Sequence, residues 1–185
     1  MLKEINAIQA HADLLVNEQQ IAVAIEHIAE QINGLLADRN PLVLCVLNGG
    51  LVFTGQLLPK LTIPLTLDSI NASRYHNKTS GGAIEWINTP QTSIKDRTIL
   101  IVDDILDEGI TLAALYEYCL AHGATSIYSA VLVNKLLGHS KPIYADFIGL
   151  NLENRYLFGY GMDYKGYLRN APGIYACKEY QEEQQ

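Results

Sequence analysis

The chain has no basic run. Lys and Arg number 13 against 20 Asp and Glu, giving a net charge of −7, so the electrostatic footprint that carries nucleic-acid binding is missing. Cysteine is scarce. Cys45, Cys119 and Cys177 are far apart and show no CxxC spacing, which argues against both a disulfide framework and a zinc site and predicts buried thiols in a reducing compartment. No apolar run approaches a membrane span, and Met1 to Leu15 show no basic start leading into an unbroken apolar region. A cytosolic protein with no membrane partner is expected. Neither GxGxxG nor GxxxxGK occurs, which removes the usual dinucleotide and NTPase readings. There is no repeat, low-complexity segment or internal linker.

What is present fits one domain. At 185 residues with 49% apolar content the chain can build a real core but not two large domains. A single domain over 1–178 is expected, with a disordered tail over 179–185. Asn17 with Gln20 reads as a capping box, and Ile21, Ile25, Ile28, Ile32 and Leu35 then repeat at helical spacing. Leu42 to Leu47 reads as a buried strand ending in Asn48, Gly49 and Gly50, with Leu51 to Leu58 helical after it. Leu65 to Ile70 reads as a strand. The small, polar stretch Asn77 to Gly82, between it and Ile84 to Ile87, suits a lid. Ile127 to Val133 is another buried strand, with Asn134 and Lys135 at its end. Phe147 to Leu150 and Tyr156 to Gly159 read as shorter strands. Alternating strands and helices with short turns predict an α/β domain with a twisted, mostly parallel sheet.

The segment Thr98 to Leu112, TILIVDDILDEGITL, is the most informative. Ile99 to Val102 read as a strand buried on both faces, ended by Asp103 and Asp104, whose side chains point to opposite faces. Gly109 allows a tight or positive-φ turn before Ile110, Thr111 and Leu112 open a helix, leaving backbone N–H groups free to face an anion. Asp103, Asp104, Asp107 and Glu108 are close enough to raise one another's pKa unless a cation or hydroxyl donors sit among them. The carboxyl end of a buried strand is also where open α/β sheets bind ligands.

This segment resembles the phosphoribosyl pyrophosphate motif of the type I phosphoribosyltransferases. The resemblance implies that Asp103 and Asp104 hold the ribose hydroxyls, directly or through Mg²⁺, that Asp107 is the catalytic acid/base beside the purine N7, and that Glu108, Gly109, Ile110 and Thr111 cradle the 5′-phosphate. The family often carries Thr or Ser where this chain has Glu108.

From the first helix to about Cys177 the chain is similar to the hypoxanthine-guanine phosphoribosyltransferases. That likeness implies a type I phosphoribosyltransferase fold with a flexible lid and a small hood formed by N-terminal residues and about 140–178. Lys135 would read the purine O6, a pure acceptor that a Lys ammonium suits. In the segment Tyr156 to Arg169, Tyr156 would stack on the base, the Leu157 backbone would bond its edge, Asp163 would lie near a second Mg²⁺, and Arg169 would contact pyrophosphate. The pyrophosphate loop, Asn48 and Gly49, has Asn48 where the family usually carries Lys or Arg. The lid begins Arg74-Tyr75 where the family usually has Ser-Tyr, an exchange that would be compensatory. The implied reaction is Mg²⁺-dependent transfer of a 5-phosphoribosyl group from phosphoribosyl pyrophosphate to N9 of hypoxanthine or guanine, giving IMP or GMP, in a homodimer or homotetramer. The alternatives are a xanthine-preferring enzyme and a non-catalytic regulator that binds phosphoribosyl pyrophosphate.

Overall fold

The structure, a computed structural model, describes residues 1–74 and 84–178. The proposed lid, Tyr75 and the tail over 179–185 lie outside the described residues. No helix among the described residues is long and apolar enough to cross a membrane.

Helix α1 (Leu2–His11) and strand β1 (Asp13–Val16) precede α2 (Glu18–Leu36). The capping box is present: Asn17 Oδ1 accepts the Gln20 N–H at 2.9 Å, and Gln20 Oε1 accepts the Asn17 N–H at 3.0 Å. One face of α2, including Ile21, Ile25, Ile28 and Ile32, is fully buried, each side chain contributing about 1.5–3 kcal/mol relative to exposure. The chain continues through β2 (Leu42–Val46), α3 (Gly50–Leu57), a 3-10 turn at Leu58–Lys60, β3 (Thr66–Arg74) and β4 (Ile84–Asn88). Then follow β5 (Thr98–Leu106), α4 (Ile110–Ala121), β6 (Ser126–Leu136), β7 (Phe147–Glu153), β8 (Leu157–Phe158) and β9 (Ile174–Ala176).

Among the described residues, β4-β3-β2-β5-β6-β7 form one sheet, with β3 and β4 antiparallel and the other neighbours parallel. One face buries Leu100, Val102 and Leu132 under α2 and α3. The other buries Ile99, Ile101 and Val131 under Leu112, Leu115 and Cys119 of α4. This two-sided cover explains why β2 and the start of β5 read as unbroken apolar runs. Strands β2 and β5 are parallel neighbours, but the chain leaves β2 toward β3 on one side and β5 toward β6 on the other. Their carboxyl ends therefore mark the switch point of the sheet, where a crevice opens.

A second, small sheet has the order β1-β9-β8. It packs with α1 around Ile5, Ile8, Phe158, Leu168 and Ala171. Phe147–Glu153 stays in the large sheet, beside β6.

Two strand ends differ from the sequence reading. Asp103 and Asp104 do not end β5, which continues to Leu106, pairing Ile105 with Val133 and Leu106 with Asn134. Likewise β6 continues through Asn134 and Lys135 to Leu136, paired with β7. The reason is the same in both cases. Ladder partners on both sides satisfy the backbone, so polar side chains at the rim do not stop the strand.

Candidate active site

Over the carboxyl ends of β2, β5 and β6 lies a cavity of about 430 Å³, within the range of small-molecule sites. From the loop after β2, Asn48 and Gly49 line it. The Leu47–Asn48 peptide is cis. Gly49 has an ordinary helical backbone, φ −62°, so its role is space: a Cβ there would lie 2.1 Å from Asp104 Oδ2. Gly50 is tight for the same reason, a Cβ coming within 2.7 Å of the Val102 carbonyl oxygen. The Gly pair thus lets the loop press onto β5 beside the acids.

Asp103 and Asp104 line the cavity floor. Asp104 is 7% exposed, and Asp103 Oδ1 accepts its N–H at 2.9 Å. Burial pushes the Asp103 carboxyl well above its usual range, and the neighbouring Asp104 charge pushes it further. Burial also raises Asp104, against the pull of the Asp103 hydrogen bond and the Arg169 guanidinium. Two desolvated carboxylates side by side attract a cation.

Beyond them, Asp107, Glu108, Gly109 and Thr111 form the next wall. Gly109 is the N-cap of α4 with φ +81°, the left-handed conformation glycine adopts without strain. The helix's first bond is Ala113 N–H to Gly109 O at 2.9 Å, so the N–H groups of Ile110, Thr111 and Leu112 have no partner inside the helix. The Glu108 carboxylate lies 4.0 Å from His139 Nε2. Ile110 does not line the cavity and its side chain is 45% exposed, which leaves only its backbone to the loop. Across from this wall, Lys135 Nζ reaches Asp107 Oδ2 at 3.2 Å.

The segment from Tyr156 to Arg169 supplies the remaining side. Tyr156, Leu157, Asp163 and Arg169 line the cavity. Tyr156 is 53% exposed and braced edge-on by Tyr164, ring centroids 5.4 Å apart. Leu157 sits on β8, an edge strand. Arg169 Nη2 pairs with Asp163 Oδ1 at 2.6 Å, its Nη1 donates to the Gly161 carbonyl at 2.6 Å, and Gly166 N–H donates to Asp163 Oδ2 at 2.6 Å. No group of three or more His, Cys, Asp or Glu side chains gathers as a metal cluster among the described residues. Asp103 and Asp104 thus stand as a pair, and Asp163 stands apart with Arg169.

Two positions packed beside the site carried no signal in the sequence. Gly161, at φ +107°, comes so close to the backbone of the loop after β2 that a Cβ would lie 2.1 Å from the Gly49 carbonyl oxygen. Lys141 is buried, 9% exposed, where an isolated Lys before Pro142 would be read as a surface charge. Arg74 ends β3, while its side chain lies outside the described residues.

The model of the phosphoribosyl transferase domain family matches residues 11–165. The hypoxanthine-guanine phosphoribosyltransferase of Bacillus subtilis is 34% identical over 166 residues, covering 89% of this chain and 92% of that one. The hypoxanthine-guanine-xanthine phosphoribosyltransferase of Tritrichomonas foetus is 33% identical, covering 90% of this chain and 91% of its own. A solved structure of the Trypanosoma cruzi hypoxanthine phosphoribosyltransferase in complex with the product IMP superposes with a TM-score of 0.82 at 30% identity, covering 91% of this chain and 95% of that one. The acid-lined switch point, the glycine-capped anion loop and these likenesses over most of the chain agree: the chain belongs to the phosphoribosyltransferase family, among the hypoxanthine-guanine phosphoribosyltransferases.

Proposed function

We propose that the chain is a purine-salvage enzyme that transfers a 5-phosphoribosyl group from phosphoribosyl pyrophosphate to N9 of hypoxanthine or guanine, releasing pyrophosphate. The observation that carries this reading is the Lys135–Asp107 pair at 3.2 Å in the cavity wall. A 6-oxopurine presents O6 and N7 on one edge, so a single base can engage both groups at once. Lys135 donates to O6, and Asp107 handles the proton at N7. Tyr156 offers a braced ring for stacking, about 1–3 kcal/mol per base, and the edge strand at Leu157 offers backbone groups to the rest of the base.

The 5′-phosphate fits the free N–H groups at the start of α4, where Gly109 permits the turn and the helix dipole favours an anion. Asp103 and Asp104 take the ribose hydroxyls. The elevation of both carboxyls by burial fits a divalent cation, and Mg²⁺ bound there would neutralise pyrophosphate charge. Asp163, held by Arg169, is the candidate contact for a second ion. Arg169 keeps donors beyond its bonds to Asp163 and Gly161 for the leaving pyrophosphate. The residues thus fix ribose and base for attack through an oxocarbenium-like transition state and exclude water on the side formed by the Tyr156 to Arg169 segment. In this reading that segment and the three-stranded sheet behind it form the hood of a single domain over 1–178. The assembly is a homodimer or homotetramer.

A second reading is a broader or xanthine-preferring enzyme, favoured by the similarity to the Tritrichomonas foetus protein, whose name includes xanthine. A non-catalytic regulator fits less well, because a sensor of phosphoribosyl pyrophosphate has no use for the Lys135–Asp107 pair or for Tyr156. The test is nucleotide formation from hypoxanthine, guanine, xanthine, adenine and uracil with phosphoribosyl pyrophosphate and Mg²⁺. Turnover of hypoxanthine or guanine above the rest is expected. No product with any purine would overturn the proposal.

A further inference from the structure

Lys141 lies between β6 and β7 and is the one buried cation among the described residues. Its Nζ donates to the Leu106 carbonyl at 2.7 Å and to Asn134 Oδ1 at 2.8 Å. Asn134 Nδ2 in turn donates to Asn151 Oδ1 at 2.7 Å. Leu106 immediately precedes Asp107, and Asn134 immediately precedes Lys135. One ammonium therefore ties together the two strand ends that carry the 3.2 Å ion pair.

An ammonium is an expensive strut. Burial lowers the Lys141 pKa, with a smaller push in the same direction from the Lys135 charge, opposed by the charges of Asp107 and Glu108. Both of its hydrogen-bond acceptors are neutral, so its charge is balanced only by acids of the cavity wall. The same segment backs the phosphate loop: a Cβ on Gly109 would meet Pro142 Cδ at 3.3 Å and Lys141 Cβ at 3.4 Å.

We propose that Lys141 is a positioning residue for base recognition, holding the ends of β5 and β6 so that Asp107 and Lys135 face the same purine edge. The inference rests on the assignment of that pair to the base under Proposed function. A neutral residue of similar length would fill the volume but leave the Leu106 carbonyl and the Asn134 side chain without their common donor. The strand ends would then be free to drift by the small distances to which base orientation is sensitive.

The test is a double-variant cycle with Lys141→Met and Lys135→Ala, following KM and kcat for hypoxanthine and for phosphoribosyl pyrophosphate separately. Lys141→Met should lower kcat/KM for hypoxanthine by about 10–100-fold and change the KM for phosphoribosyl pyrophosphate much less. In the Lys135→Ala background it should cost clearly less than in the wild type, because one of the two groups it positions against each other is already gone. Additive losses, or a lowered melting temperature with unchanged kinetics, would overturn the proposal. If Lys141→Met does not fold, the wild type decides through its Lys ammonium NMR signals. That of Lys141 should exchange slowly with water and shift together with that of Lys135 when IMP binds. A fast-exchanging or unmoved Lys141 signal would overturn the proposal as well. Wild-type protein inactive on every purine would sink the functional reading itself, an outcome distinct from an active wild type with an additive cycle.

Discussion

Lys135, on β6, and Asp107, the residue just past the end of the neighbouring β5, form an ion pair at 3.2 Å with the lysine side chain only 13% exposed and the carboxylate 46% exposed. Each is therefore the other's partner. In the proposed reading an incoming 6-oxopurine takes over from each group what the other supplies, an acceptor at O6 for Lys135 and an N–H at N7 for Asp107. Specificity then comes from the cost of leaving a half-buried charge without a partner.

Asp107→Asn should lower kcat by about 10²–10⁴, with phosphoribosyl pyrophosphate binding nearly unchanged. Single-turnover kinetics with hypoxanthine check this. Near wild-type turnover would remove Asp107 from the proton transfer.

For Lys135→Ala, kcat/KM for hypoxanthine should fall by roughly 2–4 kcal/mol in transition-state terms, the cost of a charged hydrogen bond lost in an enclosed site. Adenine, with an amine at the O6 position, should be a very poor substrate of the wild type. Efficient adenine use in a competition assay would contradict the assignment.

Gly161→Ala should be damaging although the change is one methyl group. The position combines φ +107° with a 2.1 Å approach of the new Cβ to the Gly49 carbonyl oxygen, and backbone cannot swing aside as a side chain can. Strain of about 1–3 kcal/mol and a displaced pyrophosphate loop are expected. They should be read as a lower melting temperature together with a raised KM for phosphoribosyl pyrophosphate. Wild-type values of both would mean the two segments are not packed as described.

The raised Asp103 and Asp104 carboxyls set the sign of a pH effect. The folded, metal-free protein keeps protons that the unfolded chain has already released, so it is stabilised at low pH. That stability is lost as pH rises from the ordinary carboxylate value through the elevated folded values. Asp103→Asn should flatten this slope on the side above the ordinary carboxylate value and raise the melting temperature of metal-free protein at neutral pH, on the order of 2–4 °C for each kcal/mol relieved. Turnover should fall at the same time. Thermal melts in chelator across that range, with and without added Mg²⁺, give the answer. A metal-free wild type that gains stability toward neutral pH would refute the pairing.

The large sheet was legible because its strands are buried on both faces and its helices carry long apolar periods, as in α2 and in Ile99 to Val102. The acids were legible from their place at the end of such a strand. What escaped was set by contacts rather than by local pattern. Strand β5 runs past its acids because β6 pairs with it there. Gly49 reads as a flexible turn residue, but its requirement is the space that Asp104 occupies. Lys141 acquires its buried setting from Leu106 and Asn134, which are 35 and 7 positions away. Of the small sheet, β8 falls inside the strand read at Tyr156 to Gly159, whereas β1 and β9, with 4 and 3 residues, are too short to show a period of two.

That small sheet has a kinetic consequence. Strand β1 pairs with β9 in the register Asp13↔Ala176, and Arg155 fastens the join by bonding Asp13 at 2.8 Å and the Cys177 carbonyl at 3.1 Å. Nearly the whole chain is the loop that this pairing closes, and such closure carries the largest entropic cost in the fold. The central sheet has its strands in place by Glu153, whereas Asp13–Val16 must wait for Ile174–Ala176 before acquiring a ladder partner. During synthesis the carboxyl ends of β2, β5 and β6 are therefore available before the three-stranded sheet β1-β9-β8 can close.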